Sequence, residues 1–261
     1  MVKVREPAVA GVFYPADPDL LTGLIDGFLS DMTDPAPPPK ALIAPHAGYT
    51  YSGPIAASVY VCLRAAREII RRVVLIGPSH RVAFRGLAAS SAEAFITPLG
   101  AVKVDRASIH RLIQLKFAAL RDDAHLREHG LEVHLPFLQR MINEFTIVPL
   151  VFGDISYMRV AEVLREIWGG PETLIVISSD FSHYYPYKQA RVLDQEAAQS
   201  ILRLEPEAIR PEQACGRIGI QALLEVVREK GLHATLLDLR NSGDTSSNQD
   251  QVVGYGAFAF D

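Results

Sequence analysis

The feature that most constrains this chain is a set of short apolar runs that do not alternate. "ALIAP" (41–45), "RVVLIGP" (72–78) and "TLIVISS" (173–179) each hold at least four apolar residues in succession. A strand with one wet face alternates; a continuous apolar run is covered on both faces. Further strand-like runs are "GLAAS" (86–90), "FTIVPLVFG" (145–153), "ATLLDLRNS" (234–242) and "VVGYGAFAF" (252–260). Helix-like segments lie between them at 53–67, 105–118, 136–143, 156–168, 187–203 and 215–230, and Leu20, Leu21, Leu24, Ile25 and Phe28 mark an earlier amphipathic helix. This interleaving predicts an α/β protein, one domain over 1–261, with a mixed, mostly parallel sheet and helices on both faces. The partly alternating run 252–260 suits an antiparallel member. The prolines of "TDPAPPPK" (33–40) fit neither a helix nor a central strand and read as a stiff connector inside the domain.

Composition narrows the class. With 49% hydrophobic and 21% charged residues, the chain can build a sizeable core without staples. Its net charge is −4 and it shows no basic stripe, which argues against nucleic acid as the partner. Two cysteines, Cys62 and Cys215, cannot make a disulfide scaffold, and a reducing, cytoplasmic setting is the simpler expectation. No apolar run reaches the ~20 residues that span a bilayer, and "MVKVREPAVAGVFYPADP" lacks the apolar centre of a signal peptide.

The buried-type runs also end alike. "ALIAPH" delivers His46, "VVLIGPSH" delivers His80, and "LIVISSDFSH" delivers Asp180 and His183. In open α/β sheets ligands bind in the crevice beyond the carboxyl ends of the strands. Three imidazoles would therefore share one pocket if these strands are neighbours. "REHGLEVHLPF" (127–137) adds Glu128, His129, Glu132 and His134. Pro136 suits the first turn of a helix, so the residues before it are expected to be extended, with Glu132 and His134 on one side. Cys215 opens "CGRIGIQALLE", where a helix start would favour a thiolate; as a lone cysteine it reads equally as a small buried hydrophobe. By default Glu128, His129 and Glu132 are surface charges, His110, His125 and His233 are solvated, and Tyr49 and Tyr51 pack with satisfied hydroxyls. Asp180 reads as a helix cap or as the partner that orients a histidine. Phosphate-loop, H-E-x-x-H, C-x-x-C and G-x-S-x-G patterns are absent. A metal centre is what remains.

Six blocks in this order, "AGVFYPADP", "APHAGYTYSG", "GPSH", "EVHLPF", "SSDFSHY" and "CGRIGI", resemble the Memo family from about Pro7 to the end. That family is similar in fold to class III extradiol ring-cleaving dioxygenases, non-haem iron enzymes with two histidines and a glutamate as ligands. The resemblance implies His46, His80 and Cys215 as metal ligands, the cysteine standing where the dioxygenases place glutamate. It implies His183 as general acid/base with Asp180 fixing its tautomer, and His134 in the same pocket, touching the ligand or relaying a proton. Tyr49 would wall that pocket. Fe(II) is the expected metal, and a thiolate also admits Cu or Zn. The function implied is a metal-binding oxidoreductase-like protein acting on an unknown small molecule or peptide, with a possible link to radical-SAM proteins. The alternatives are a non-catalytic peptide- or partner-binding module that retains the pocket, and zinc hydrolysis by an activated water.

Overall fold

A computed structural model describes residues 3–30, 32, 38–246 and 248–261. Its strands are β1 (Val4–Arg5), β2 (Ala41–Ala44), β3 (Arg72–Pro78), β4 (Leu87–Ala89), β5 (Ala94–Thr97), β6 (Gly100–Val104), β7 (Ala119–Leu120), β8 (Thr146–Phe152), β9 (Thr173–Ser178), β10 (His183–Tyr185), β11 (Ala234–Asn241) and β12 (Val252–Phe260). The helices are α1 (Pro18–Ser30), α2 (Tyr49–Tyr60), α3 (Arg106–Gln114), α4 (Asp122–Leu126), α5 (Leu135–Met141), α6 (Tyr157–Ile167), α7 (Tyr187–Leu202), α8 (Arg217–Lys230) and α9 (Ser242–Thr245).

One sheet runs through the molecule in the order β1-β5-β6-β8-β3-β9-β2-β12-β10. Its centre is parallel: β6 with β8, β8 with β3, β3 with β9 and β9 with β2. Antiparallel pairs close the flanks, β12 with β2, β11 and β10, and β5 with β6. Every residue of β2 and β9 is buried. Successive side chains of a strand point to opposite faces, so this sheet is covered on both, as the non-alternating runs require. The α6 and α8 helices pack together with α8 on β3 and β9, while α2 lies on β2, β11 and β12. Among the described residues no helix is long and apolar enough to cross a membrane.

The order β3-β9-β2 answers the adjacency question. The three strands followed by His80, by Asp180 and by His46 are parallel neighbours, so their carboxyl ends share one edge, while His183 opens the separate strand β10 against β12. Several boundaries differ from expectation. The second helix begins at Tyr49 with Gly48 as its extended cap, and Pro54 is tolerated inside it, at the cost of one intrahelical bond. The α8 helix begins at Arg217, so Cys215 lies just before the capping Gly216. Residues 132–134 form a 3-10 turn rather than an extended segment. Of the proline connector, residues 33–37 lie outside the described residues.

A buried ion pair ties the amino-terminal segment to that turn. Arg5 is 5% exposed and Glu132 fully buried, and their side chains are in direct contact. Glu132 also accepts from the Ala8 and Val9 amides at 2.7 and 3.0 Å and from the Tyr14 hydroxyl. Arg5 further donates to the carbonyls of His125 and Glu128. Glu132, read by default as surface charge, is therefore with Arg5 the anchor that fixes segment 125–134 in place. His125, expected to be solvated, is buried and bonds the Ala88 carbonyl at 3.0 Å. His110 and His233 are exposed as expected.

Candidate metal centre

His46 stands two residues beyond β2 and is buried. Its Nδ1 lies 2.6 Å from Ser178 Oγ. That hydroxyl gives its single proton to the Gly130 carbonyl, so the imidazole must donate at Nδ1 and carry its lone pair on Nε2. His80, two residues beyond β3, has a side chain 26% exposed. Its Nδ1 lies 2.7 Å from Glu128 Oε1, an acceptor when ionised, which again leaves Nε2 free. A histidine fixed by a carboxylate or hydroxyl on one nitrogen and open on the other is the usual form of a metal ligand.

Cys215 completes the group. Its Sγ is 3.3 Å from His46 Nε2, and the donor atoms of His46, His80 and Cys215 all lie within 4.8 Å of one another. Two donors at ~2.1 and ~2.3 Å from one ion stand about 3.1–3.6 Å apart, so the residues fit a cation. Gly216 makes this approach possible. A Cβ there would come 2.5 Å from the Ser178 carbonyl and 2.5 Å from Ser179 Cβ, so only glycine lets the turn before α8 press against the end of β9.

Electrostatics at the site follow from burial. Burial, reinforced by the neighbouring imidazoles, drives His46 well below the ordinary histidine range. Burial likewise brings His129 down to about 4 and lowers His183. The Cys215 thiol is pushed up to about 12 by burial and then by the Asp180 charge. The expected helix-start thiolate is thus corrected to a thiol, because the sulfur precedes the helix in a dry setting. Cation binding would release that proton. Glu128 runs the other way: although burial opposes it, hydrogen bonds from the His80 ring and amide and the Gly130 amide hold its carboxyl below the usual range.

The remaining expected residues separate. Asp180 accepts the His46 amide at 2.7 Å, its other oxygen is 4.0 Å from His46 Nε2, and burial raises it to about 7. It does not orient His183, whose ring interacts instead with the Phe181 carbonyl. Beside His183, Tyr184 adopts a left-handed φ of 62° and is 69% exposed, local strain of the kind stored at working sites. His134 is 1% exposed and bonds the Tyr60 hydroxyl at 2.8 Å through Nδ1; it has no surface with which to touch a ligand directly. Tyr49 is also in the core, donating to the Val133 carbonyl at 2.6 Å rather than walling a pocket.

The sequence offered Glu128 and His129 to the same pocket, with surface charge as their default reading, and the structure places both beside His80. The ring of His129 is 4.5 Å from that of His80 and 5.4 Å from that of His46, and Phe13 packs on it at 4.9 Å. The available signal was density: four chemistry-bearing residues within "EHGLEVH". A hollow of about 300 Å³ adjoins, lined by Ala47, Tyr51, Ser242, Gln251, Val253 and Tyr255 among others. A larger cavity of about 550 Å³ is lined by Arg71, Lys103 and Thr146, at the opposite ends of the strands, and among the described residues no histidine or cysteine lines it.

The sequence pattern of the family described as Memo-like protein matches residues 5–259. A MEMO1 family protein of Aquifex aeolicus is 37% identical over 273 residues, covering 99% of this chain and 100% of that protein. One from Aeropyrum pernix is 38% identical over 283 residues, covering 98% and 99%. A third, from Desulfurococcus amylolyticus, is 34% identical over 283 residues and covers 99% of each. Similarity of this extent takes in the whole sheet and every strand end at the centre, and the chain belongs to the Memo-like protein family.

Proposed function

We propose that this chain is a metal-dependent oxidoreductase-like protein in which His46, His80 and Cys215 hold one divalent cation, Fe(II) first, with Cu or Zn admitted by the sulfur. One observation carries the reading: two imidazoles tied back through Nδ1 and a thiol sulfur offer three donor atoms within 4.8 Å of one another. Three protein donors leave further coordination positions for a small molecule, to which a redox-active ion supplies electron transfer.

The chain's own groups would do the rest. His183, kept neutral near pH 7 by burial, takes or gives a proton at the edge of the site. Asp180 holds the backbone that presents His46. His134, bonded to the Tyr60 hydroxyl through Nδ1, serves as a relay toward Tyr60. The hollow beside Ala47 receives the substrate through hydroxyl and amide groups rather than charges.

Metal analysis of anaerobically purified protein tests the proposal. The expected result is at least one iron per chain, lost in His80→Ala and lowered by one equivalent in Cys215→Ala, with the fold intact by circular dichroism. Absence of stoichiometric iron, copper or zinc, or variants that keep the wild-type iron content, would overturn it.

A further inference from the structure

Glu128 stands between two imidazoles, not one. Its Oε1 is 2.7 Å from His80 Nδ1 and 3.4 Å from His129 Nδ1. We propose that His80 Nδ1, Glu128 Oε1 and His129 Nδ1 form a second cation position, which shares the imidazole of His80 with the centre described above but not its thiol.

Three observations support it. The ligand atoms of His80, Glu128 and His129 all lie within 4.8 Å of one another. Nitrogen and oxygen donors of one ion at ~2.1 Å stand about 2.9–3.4 Å apart, so the 3.4 Å contact already fits and the 2.7 Å one opens by a few tenths. Next, His129 Nδ1 is buried and has no hydrogen-bond partner among the described residues, an orphan that buried polar groups rarely remain. Finally, Glu128 is preorganised: the His80 amide binds Oε2 at 2.7 Å and the Gly130 amide binds Oε1 at 2.9 Å. The side chains of His80 and His129 are 26% and 13% exposed, which gives an ion a way in.

Two nitrogens and a carboxylate oxygen select Zn(II), Fe(II) or Mn(II) rather than Cu(I), which prefers sulfur. The two positions therefore differ in softness. An ion entering the second displaces the one proton that His80 Nδ1 shares with Glu128, and that proton leaves to solvent. His129 keeps its own proton on Nε2. When the first position is filled, His80 becomes an imidazolate bridge, and nothing is oxidised or reduced.

Titration with Zn(II) alone, followed by gel filtration and elemental analysis, tests this. Wild type should retain two equivalents, His129→Gln one, and Cys215→Ser one, with circular dichroism confirming each fold. His110→Gln and His233→Gln, at exposed positions, should retain two. A single wild-type equivalent that survives in His129→Gln and disappears in Cys215→Ser would overturn the second position while leaving the first standing. A single equivalent with the opposite pattern would sink the thiol centre and keep this one. Loss of the second equivalent in His110→Gln or His233→Gln would also overturn the proposal. Co(II) gives a check that needs no variant. One equivalent should raise thiolate charge-transfer absorption and the other should add only weak visible bands; saturation of all signals at one equivalent contradicts the second position.

Discussion

Ser178, the last residue of β9, holds the ring of His46 by a 2.6 Å contact to Nδ1, across two strands that are parallel neighbours. The serine thereby sets the histidine tautomer from a separate stretch of chain. Ser178→Ala removes the acceptor and lets the ring turn, and affinity for the cation should fall about 10–100-fold, the usual effect of losing such a partner. Chelator competition on matched samples reads this directly. Unchanged affinity would mean that Ser178 does not orient His46.

Gly216 is expected to be intolerant for a steric reason. An added Cβ meets the Ser178 carbonyl and Ser179 at 2.5 Å, so Gly216→Ala must push the turn, and Cys215 with it, off the end of β9. Forcing atoms into a packed interior costs about 1–3 kcal/mol. Urea denaturation should show that loss, and the variant should also bind the cation more weakly. Full stability with full affinity would contradict the close approach.

The Arg5–Glu132 pair should behave as a buried charge that cannot lose its partner. Glu132→Gln leaves the Arg5 guanidinium uncompensated at 5% exposure, and breaking a buried pair costs about 3–5 kcal/mol. The denaturation midpoint should drop accordingly. A change below about 1 kcal/mol, within the range of exposed pairs, would show that the segment is anchored by something else.

His125 should make the protein acid-sensitive. Burial brings its pKa down to about 4 in the fold, while the unfolded chain takes up a proton near 6.5. Between those values the unfolded state binds more protons, so stability is full above about pH 6.5 and is lost as pH falls toward 4. The contribution is about 3 kcal/mol. Stability measured from pH 7 to pH 4 should fall less steeply in His125→Gln, and identical slopes would contradict a neutral buried imidazole.

Much of the architecture was legible because β2, β3 and β9 are wholly or nearly wholly buried, and burial on both faces writes an unbroken apolar run. His46 and His80 were legible for the same reason, as polar residues placed directly after such runs. The β5 and β6 strands were missed because they are short, and three of the five positions in β6 are exposed, which leaves little pattern. Glu128, Glu132 and His125 were misread because a charge in a sequence does not show its partner: Arg5 lies 127 positions from Glu132. His134 illustrates the converse. A motif containing it was recognised, yet its ring is turned to Tyr60 by a 3-10 turn that the Pro136 signal did not reveal.

The central claim is that His46, His80 and Cys215 converge on one ion, and X-ray absorption at the zinc edge tests it most directly. Protein loaded with Zn(II) to saturation should show a sulfur at about 2.3 Å together with nitrogen or oxygen donors at about 2.0–2.1 Å. The sulfur contribution should vanish in Cys215→Ser. A first shell of nitrogen and oxygen alone in the wild-type protein would contradict the account.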